Sequence, residues 1–312
     1  MEKWNHTSND FILLGLFPPG KTGLLLLFLI IIIFFLTSVG NLAMIHLIRV
    51  DPCLHTPMYF LLSQLSLMDL MCISSTVSKM AFNFLSGHKG ISFLGCGVQS
   101  FFFVTTIGSE GLLLASMAYD WYMAICYPLH YPIHMSNRMC VKMIIGSWTV
   151  GSINFLAHSV YTLRIPYCRS RAIDHFFCDI PAMLSLACMD TWGYEYMVFL
   201  STTLFLLLPF LGITASYGRF LFAVYQMRSK EGRKKAFITC STYLTVVIFY
   251  CVPFFYTYLQ ARNLHSPAEG KILAVFYTIL TPMLNPIFYS LRNKEVLGAM
   301  TRVFEIFSSL KE

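Results

Sequence analysis

Long stretches of apolar residues, almost free of charge, alternate with short polar connections along this sequence of 312 residues. Each stretch holds about 20 residues or more, which is the length that a helix needs to cross roughly 30 Å of hydrocarbon. Because unpaired backbone groups cannot face lipid, we predict that these stretches form helices packed in one bundle. The predicted helices cover residues 24–49, 58–80, 95–122, 141–161, 195–220, 237–260 and 270–291. The pattern therefore predicts an all-α integral membrane protein, a seven-transmembrane helix bundle.

The composition fits a protein dissolved in lipid rather than in water. Hydrophobic residues make up 56% of the chain and charged residues only 12%, against about 25% charged in typical soluble domains. The net charge of +7 is spread over short segments between the apolar stretches. Because it does not form one sustained basic face, we expect membrane lipid and no nucleic acid among the partners.

Positive charge predicts how the bundle is inserted, because Lys and Arg are retained on the cytoplasmic side. The first apolar run is too long for a signal peptide and lacks a cleavage site of small residues, so it is expected to remain as a helix. With alternating loops, the side of the N-terminus carries 9 of the 22 Lys and Arg, and the other side carries 13, five of them within 228–235. We therefore predict the N-terminus outside and the C-terminus in the cytoplasm.

Three segments follow from this orientation. Residues 1–23 form an extracellular tail, residues 24–291 form the membrane bundle, and residues 292–312 form a cytoplasmic tail. Asn5 begins the triplet Asn-His-Thr, an N-glycosylation acceptor that is used only when the tail reaches the secretory lumen.

The ten cysteines fall into two groups in this orientation. Six lie within helices or on the inner side, where a reducing cytosol keeps thiols free and packing is their simplest role. Four lie on the outer side, namely Cys96, Cys168, Cys178 and Cys188. They can form two disulfides in three different pairings, which the sequence does not distinguish. The alternative is a zinc site built from Cys168, Cys178, Cys188 and His175, which an oxidising compartment disfavours.

Two carboxylates are predicted to lie inside the hydrocarbon, where a charge costs at least a few kcal/mol. At 1.5 Å per residue, Asp69 and Glu110 lie about 18 and 15 Å from the inner ends of their helices, and Asn285 is the third polar candidate at that depth. Two facing carboxylates need a proton or a cation between them, and ligands that are all oxygen suit sodium. The alternative is that one carboxyl group is protonated and hydrogen-bonded.

An enzyme is not expected. The sequence has no nucleophile with a base and an orienting group, no H-E-x-x-H motif and no glycine-rich phosphate loop. A proton-coupled transporter would explain intramembrane carboxylates, but matching interrupted helices of inverted repeats are not evident.

Six motifs at ordered spacing identify a family and together cover nearly the whole chain. They are Gly40-Asn41, LHTPMYFLLSQLSLMD at 54–69, MAYDWYMAICYPLHY at 117–131, SYG at 216–218, KAFITCSTYL at 235–244 and PMLNPIFYSLRN at 282–293. The chain resembles the mammalian olfactory receptors, which are rhodopsin-like G-protein-coupled receptors. The sequences of these motifs are similar to those of family 2, subfamily L.

The resemblance implies an odorant receptor of the plasma membrane. Such a receptor binds a small-molecule odorant and activates a heterotrimeric G protein of the stimulatory olfactory type, which raises cyclic AMP. The resemblance also implies the disulfides Cys96–Cys178 and Cys168–Cys188, and it points to the same sodium pocket at Asp69 and Glu110.

The ligand is expected to be small, neutral and mostly apolar. Related receptors for amines carry an acidic residue in the outer half of helix three, whereas residues 101–109 read FFFVTTIGS here, with no carboxylate to pair a cation. Helical spacing and family position predict the cavity lining as Phe103, Val104, Ile107, Gly108, Tyr250, Phe254, Tyr258 and Thr278. The alternative is that these aromatic residues only pack against neighbouring helices and do not contact a ligand.

The inner face departs from the family at one position. The family's MAYDRY motif has Arg after Asp120, and this chain has Trp121, which cannot form a bidentate ion pair. The family's switch and G-protein surface otherwise maps onto Asp120, Tyr122, Lys234, Lys235 and Tyr289. Ser78 and Tyr243 replace the family's usual Pro and His. The alternative to a signalling receptor is therefore a receptor-like membrane protein with weak or absent G-protein coupling.

Overall fold

The computed structural model describes residues 10–162, 164–167, 171–226, 267–291 and 294–309, with scattered positions between 230 and 252. Within these residues, six helices are long and apolar enough to cross a membrane. They are α1 (Lys21–Val50), α2 (Pro57–Ser86), α3 (Phe93–Cys126), α5 (Asn137–Thr162), α7 (Trp192–Gln226) and a last span, Glu269–Tyr289. The sixth predicted helix, 237–260, lies almost wholly outside the described residues.

The last span is not a uniform α-helix. It consists of α8 (Pro267–Val275), a π-helical turn (Phe276–Leu280) and α9 (Thr281–Leu291). A π turn adds a residue to the helical repeat, so side chains on either side of it change face. A regular helical spacing therefore does not apply across this segment.

The ends of α2 show why it is longer than the predicted 58–80. Pro57 occupies the first turn, where a missing N–H costs no hydrogen bond. The helix continues past the predicted end at residue 80, and the Lys79 ammonium lies 5.2 Å from the centre of the Phe82 ring. The helix ends only at Gly87, whose φ of 72° is a left-handed conformation that favours glycine.

A small sheet covers one end of the bundle, which we call the sheet end. The strand β1 (Phe11–Leu13) pairs antiparallel with β2 (Gly90–Ile91) and parallel with β3 (Ala172–Ile173). Phe11 and Leu13 are buried against the residues around Cys96. The predicted tail 1–23 therefore contains a strand. Strands of two or three residues are too short to produce a recognisable pattern in the sequence.

The opposite end of the bundle carries two short elements and one amphipathic helix. A 3₁₀ turn (Pro52–Leu54) follows α1, α4 (Tyr131–His134) follows α3, a five-residue helix α6 (Ile180–Leu184) lies instead near the sheet end, and α10 (Lys294–Ser309) follows α9. The predicted cytoplasmic tail 292–312 therefore contains a helix.

Two polar contacts fix α10 to the start of the bundle. Arg302 binds Asp51 through an ion pair of 2.6 Å, and this guanidinium holds the pKa of Asp51 below its ordinary value. The hydroxyl of Tyr59 donates to Glu295 at 2.8 Å. Val296 is fully buried on the apolar face of the same helix.

Small residues allow the spans to approach closely. Gly151 of α5 lies directly against α3, where the Ser109 hydroxyl donates to the Ser147 carbonyl at 3.0 Å. Asn41 of α1 donates to the carbonyl of Pro282 at 3.1 Å and so joins α1 to α9. Such contacts hold helices together where lipid supplies no hydrophobic driving force.

The outward faces of the spans are apolar. On α1, Leu25, Phe28, Phe35 and Leu36 are each about three-fifths exposed, whereas Leu27 is buried toward the bundle. An apolar belt of this extent is not stable in water, so the described helices belong in a bilayer.

Candidate functional site

Three aromatic rings from three different parts of the chain meet near the sheet end. The ring of Phe103 in α3 lies 4.6 Å from that of Phe177 in the loop after α5, and 5.8 Å from that of Tyr277 in the π turn. Phe103 is 3% exposed. The loop between α5 and α7, which we call the second loop, and the last span therefore converge on the predicted ligand-binding face of α3.

The second loop is held on α3 by covalent and polar contacts. A disulfide joins Cys96 to Cys178, the pairing that the family resemblance implies. The Cys178 N–H donates to Gln99 Oε1 at 3.0 Å, and the Ser100 hydroxyl donates to the Cys178 carbonyl at 2.7 Å. Gln99 also donates to the carbonyl of Ser75 in α2 at 2.8 Å. Phe177 is thereby fixed beside Phe103.

The disulfide excludes the zinc alternative at the outer cysteines, since Cys178 has no free thiolate to offer a metal. Cys188 is also disulfide-bonded. Its predicted partner, Cys168, lies outside the described residues, as does the predicted glycosylation site Asn5. The nearby backbone pairs Tyr167 with Ala187 in an antiparallel bridge.

The other predicted lining residues of α3 occupy different surroundings. Val104 packs against both the main core and the cluster around Ile165, and Ile107 packs against the main core. Gly108 approaches the Gly151 backbone, at 3.7 Å from where its Cβ would lie, so it serves the contact between α3 and α5.

The last span contributes a ring that helical spacing did not predict. Thr278 is buried and its hydroxyl donates to the Ala274 carbonyl at 2.7 Å, whereas the neighbouring Tyr277 faces Phe103. The π turn explains the difference, because it rotates side chains away from a regular 3.6-residue repeat. The predicted lining residues Tyr250, Phe254 and Tyr258 lie outside the described residues.

A cluster of polar side chains lies deeper in the bundle than these aromatic rings. Asn285 donates to both carboxylate oxygens of Asp69, at 3.1 and 3.0 Å, and it also interacts with Glu110. Asp69 and Glu110 are both buried and interact electrostatically. Glu110 Oε1 and the Tyr289 hydroxyl are buried without a hydrogen-bond partner among the described residues. The cluster therefore joins α2, α3 and α9.

The cluster offers oxygen atoms that suit a hard cation. Two carboxylate groups in burial need a balancing positive charge or a proton. Glu110 Oε1, which has no hydrogen-bond partner among the described residues, can bind either a proton or a cation. Oxygen ligands of this kind suit sodium. Tyr289, predicted as part of the switch surface, interacts electrostatically with both carboxylates.

The inner end of α3 carries the departure from the family motif. The Tyr131 hydroxyl of α4 donates to Asp120 at 2.9 Å, so this carboxylate has a partner other than a neighbouring Arg. Arg219 of α7 donates to the Tyr122 hydroxyl at 3.1 Å. Trp121 is half-buried. Lys234 and Lys235 lie outside the described residues.

His175 is a buried titratable residue in the second loop. Its ring stacks on Phe176, with centroids 4.8 Å apart, and packs edge-on against Phe177. Burial, together with the positive charge of Lys271, lowers the pKa of His175 to about 3. The folded protein thus keeps this imidazole neutral.

We predict that acid destabilises the receptor through His175. The ordinary pKa of 6.5 applies to His175 in the unfolded chain. Below that pH the imidazole binds a proton in the unfolded state but not in the folded state. Stability is therefore lost as the pH falls from about 6.5 toward 3, at about 1.4 kcal/mol per pH unit. His175→Phe should flatten thermal-unfolding temperatures measured in detergent between pH 7.5 and 5. An exposed control, His88→Phe, should behave as the parent does, and parallel curves for His175→Phe and the parent would contradict the assignment.

These features define a multi-pass membrane protein of the seven-helix receptor class. The family model described as Olfactory receptor matches residues 27–306. Over 312 residues the chain is 80% identical to Olfactory receptor 2L13 of Homo sapiens, with 100% of both chains covered. Olfactory receptor 2L3 and Olfactory receptor 2L8 of Homo sapiens are 68% and 67% identical over 311 residues, again with 100% of both chains covered.

The chain therefore belongs to the olfactory receptor family of G-protein-coupled receptors. The predicted fold class and the predicted resemblance to subfamily 2L are confirmed. Olfactory receptors are signalling receptors, which bind odorants and couple to G proteins.

Proposed function

We propose that this receptor binds small, neutral, mostly apolar molecules within the bundle, beneath the second loop. The observation that carries the proposal is the position of Phe103, buried between Phe177 of the loop and Tyr277 of the last span. The surrounding α3 segment, residues 101–109, has no charged side chain. A charged ligand would lose its hydration there without gaining a partner from α3.

The proposed cavity lining combines α3 with the last two spans. The described members are Phe103, Val104, Ile107, Gly108 and Thr278, to which Tyr277 and Phe177 are now added. Tyr250, Phe254 and Tyr258 complete the proposal from the sequence. The hydroxyl groups of Tyr250 and Tyr258 would orient a ligand that has an oxygen or nitrogen acceptor.

We infer the orientation from charge and cysteine placement. The sheet end carries the Cys96–Cys178 disulfide, and disulfides persist in the oxidising environment outside the cell. The proposal places residues 1–23 outside with a glycan at Asn5, the bundle 24–291 in the plasma membrane, and residues 292–312 in the cytoplasm. A second disulfide between Cys168 and Cys188 would fix the same outer loop.

The buried carboxylates are proposed to hold a sodium ion. Asp69, Glu110 and Asn285 would supply its oxygen ligands, and the ion would supply the positive charge that allows both carboxylates to be ionised. Within the described residues this is where carboxylates of α2 and α3 approach the amide of α9, so an ion there would restrain these three helices together.

We predict that Asp69→Asn removes the effect of sodium on the ligand response. The amide keeps the shape of the side chain but loses the charge that a cation requires. The response should be measured in isolated membranes with sodium replaced by equimolar choline, since choline is too large for a site of this kind. A matched change, Ser75→Ala, lies on the same helix outside the cluster. If Asp69→Asn retained the sodium effect of the parent, one carboxyl group is protonated and no ion is bound.

Signalling is proposed to proceed through a stimulatory G protein of the olfactory type, which raises cyclic AMP. Asp120 accepts a hydrogen bond from Tyr131, so the inner end of α3 has a polar restraint that does not require an Arg at position 121. Trp121, Tyr122, Lys234, Lys235 and Tyr289 are assigned to the switch and the G-protein surface. The competing hypothesis is weak or absent coupling, caused by Trp121.

A cyclic-AMP assay with a panel of odorants tests the proposal. Cells that express the chain should respond to at least one neutral apolar compound, and permanently charged ammonium or sulfonate analogues of that compound should be inactive. Surface expression is measured in the same cells with an N-terminal epitope tag. Equal potency of a neutral compound and its charged analogue would contradict an uncharged cavity.

A further inference from the structure

A separate cavity lies at the sheet end, between the N-terminal segment and the outer parts of α1 and α2. Its volume is about 90 Å³. The walls are mostly apolar and include Leu13, Leu16, Phe17, Met80, Phe84 and Phe176. None of the residues assigned to odorant, ion or G protein lines it.

One polar side chain in this lining lacks partners. Asn83 is 7% exposed, and neither its amide nitrogen nor its amide oxygen has a hydrogen-bond partner in the described part of the chain. A buried amide without partners costs about 1–3 kcal/mol for each unsatisfied group. Natural proteins retain such a group where something else satisfies it.

The backbone N–H groups of three lining residues are not available to Asn83, because they already donate to other carbonyl groups. The N–H groups of Leu13, Leu14 and Gly15 donate to the carbonyls of Lys89, Ile173 and His175 at 2.9 to 3.1 Å. The amide of Asn83 is therefore available to an occupant of the cavity.

Backbone geometry contributes to the shape of the cavity. Gly15 and Gly87 both line it with positive φ values of 87° and 72°, conformations that other residues adopt only with strain. At Gly23 a Cβ would lie 2.4 Å from the carbonyl oxygen of Pro18, so the N-terminal segment sits tightly on α1. The walls are thus largely preformed.

We propose that this cavity is an accessory binding site for a small neutral molecule with an apolar chain and one hydroxyl or amide group. An alcohol or amide both donates and accepts, which matches the paired donor and acceptor of Asn83. An apolar cavity of about 150 Å³ holds benzene, so the space here suits about four non-hydrogen atoms, with any remainder extending past the exposed residues Pro19 and Lys89.

The site adjoins the proposed odorant cavity without being part of it. Phe176 lines the accessory site, its ring lies 5.0 Å from that of Phe177, and Phe177 contacts Phe103. An occupant that contacts Phe176 would therefore affect the aromatic wall of the odorant cavity. This coupling rests on the proposed function, whereas binding to the accessory site does not.

Photolabelling of the purified full-length receptor tests the site without using a signalling response. The probe is a four-carbon alcohol that carries a diazirine, and the comparison probe is the same alkyl diazirine without the hydroxyl. Labelled peptides are identified by mass spectrometry. In the parent, the alcohol should label residues 13–19 and 80–87 about 2- to 10-fold more than the comparison probe does, the factor that one hydrogen bond contributes.

Three variants make the result specific. Asn83→Leu keeps the side-chain volume and should abolish the preference for the alcohol, while Leu16→Trp should fill the cavity and reduce labelling by both probes. Phe82→Leu, on an exposed face of α2, should change neither. Equal labelling of these segments by the two probes in the parent, or a preference that survives in Asn83→Leu, would overturn the proposal. The comparison in the parent remains decisive even if a variant does not fold.

Discussion

Replacing Gly151 with leucine is expected to separate α3 from α5 and to leave little folded receptor at the cell surface. A Cβ at this position would lie 2.3 Å from Ser109 Oγ, 2.9 Å from the Thr105 carbonyl oxygen and 3.1 Å from the Ser109 backbone nitrogen. Two of these three neighbours are backbone atoms, which cannot rotate away. The hydrogen bond from Ser109 to Ser147 would also have to break.

The magnitude follows from the cost of overpacking. Inserting methylene groups into a packed core costs about 1–3 kcal/mol, and sometimes more, against a total stability of about 5–15 kcal/mol for typical proteins. We therefore expect Gly151→Ala to be destabilised by about 1–3 kcal/mol, and Gly151→Leu to fall below the threshold for folding.

The same helix supplies the control. Gly146 is exposed, and no atom lies within 4 Å of a Cβ built there. Gly146→Leu should therefore match the parent in surface expression and in thermal unfolding of the solubilised protein. Similar behaviour of Gly146→Leu and Gly151→Leu would show that the close approach of α3 and α5 is not required.

Replacing Phe103 with alanine is expected to reduce the potency of an identified odorant by about 10- to 100-fold. An apolar contact with a ligand contributes about 1–3 kcal/mol, and each 1.4 kcal/mol corresponds to a factor of ten. Phe103 also contacts Phe177 and Tyr277, so its loss would loosen the opposite walls of the cavity as well.

Stability must be separated from binding in this experiment, because removal of a buried phenyl ring costs about 3–5 kcal/mol. Phe103→Leu retains most of the volume and should still shift the concentration for half-maximal response, with normal surface expression. Phe102→Ala, on the more exposed face of α3, should leave potency unchanged. Unchanged potency in both Phe103 variants would place the odorant site elsewhere.

The membrane spans were predictable because lipid imposes a strong requirement on the sequence. A helix that crosses hydrocarbon must be predominantly apolar over about 20 residues, and this requirement is visible without knowledge of tertiary contacts. The sheet joining residues 11–13, 90–91 and 172–173 was not predictable, since its pairings are two residues long and depend on distant segments meeting. The predicted end of α2 at residue 80 was six residues too early, because the helix continues to Ser86 beyond the apolar run.

The helix α10 could have been found. Its apolar residues Val296 and Ala299, spaced by three, are buried, and Tyr59 and Asp51 bind its polar positions Glu295 and Arg302. The amphipathic pattern was present in the sequence, but the segment lacks the length of a membrane span.

The site was predictable in part. Depth along α2 and α3 was enough to bring Asp69 and Glu110 to one level, and the structure joins Asp69 to Asn285. The pairing of Cys96 with Cys178 came from the family resemblance alone. The roles of Gln99 and Ser100 in holding the second loop depend on backbone groups of that loop, which no sequence pattern marks.

We propose that this chain is a ligand-activated receptor whose signalling tolerates Trp121. The most direct test compares cyclic-AMP responses of the chain and its Trp121→Arg variant across one odorant panel, at matched surface expression. The parent is expected to respond to a neutral apolar odorant with an amplitude similar to that of the variant, because Tyr131 already partners Asp120. A response confined to Trp121→Arg, with the parent silent at equal surface expression, would contradict it.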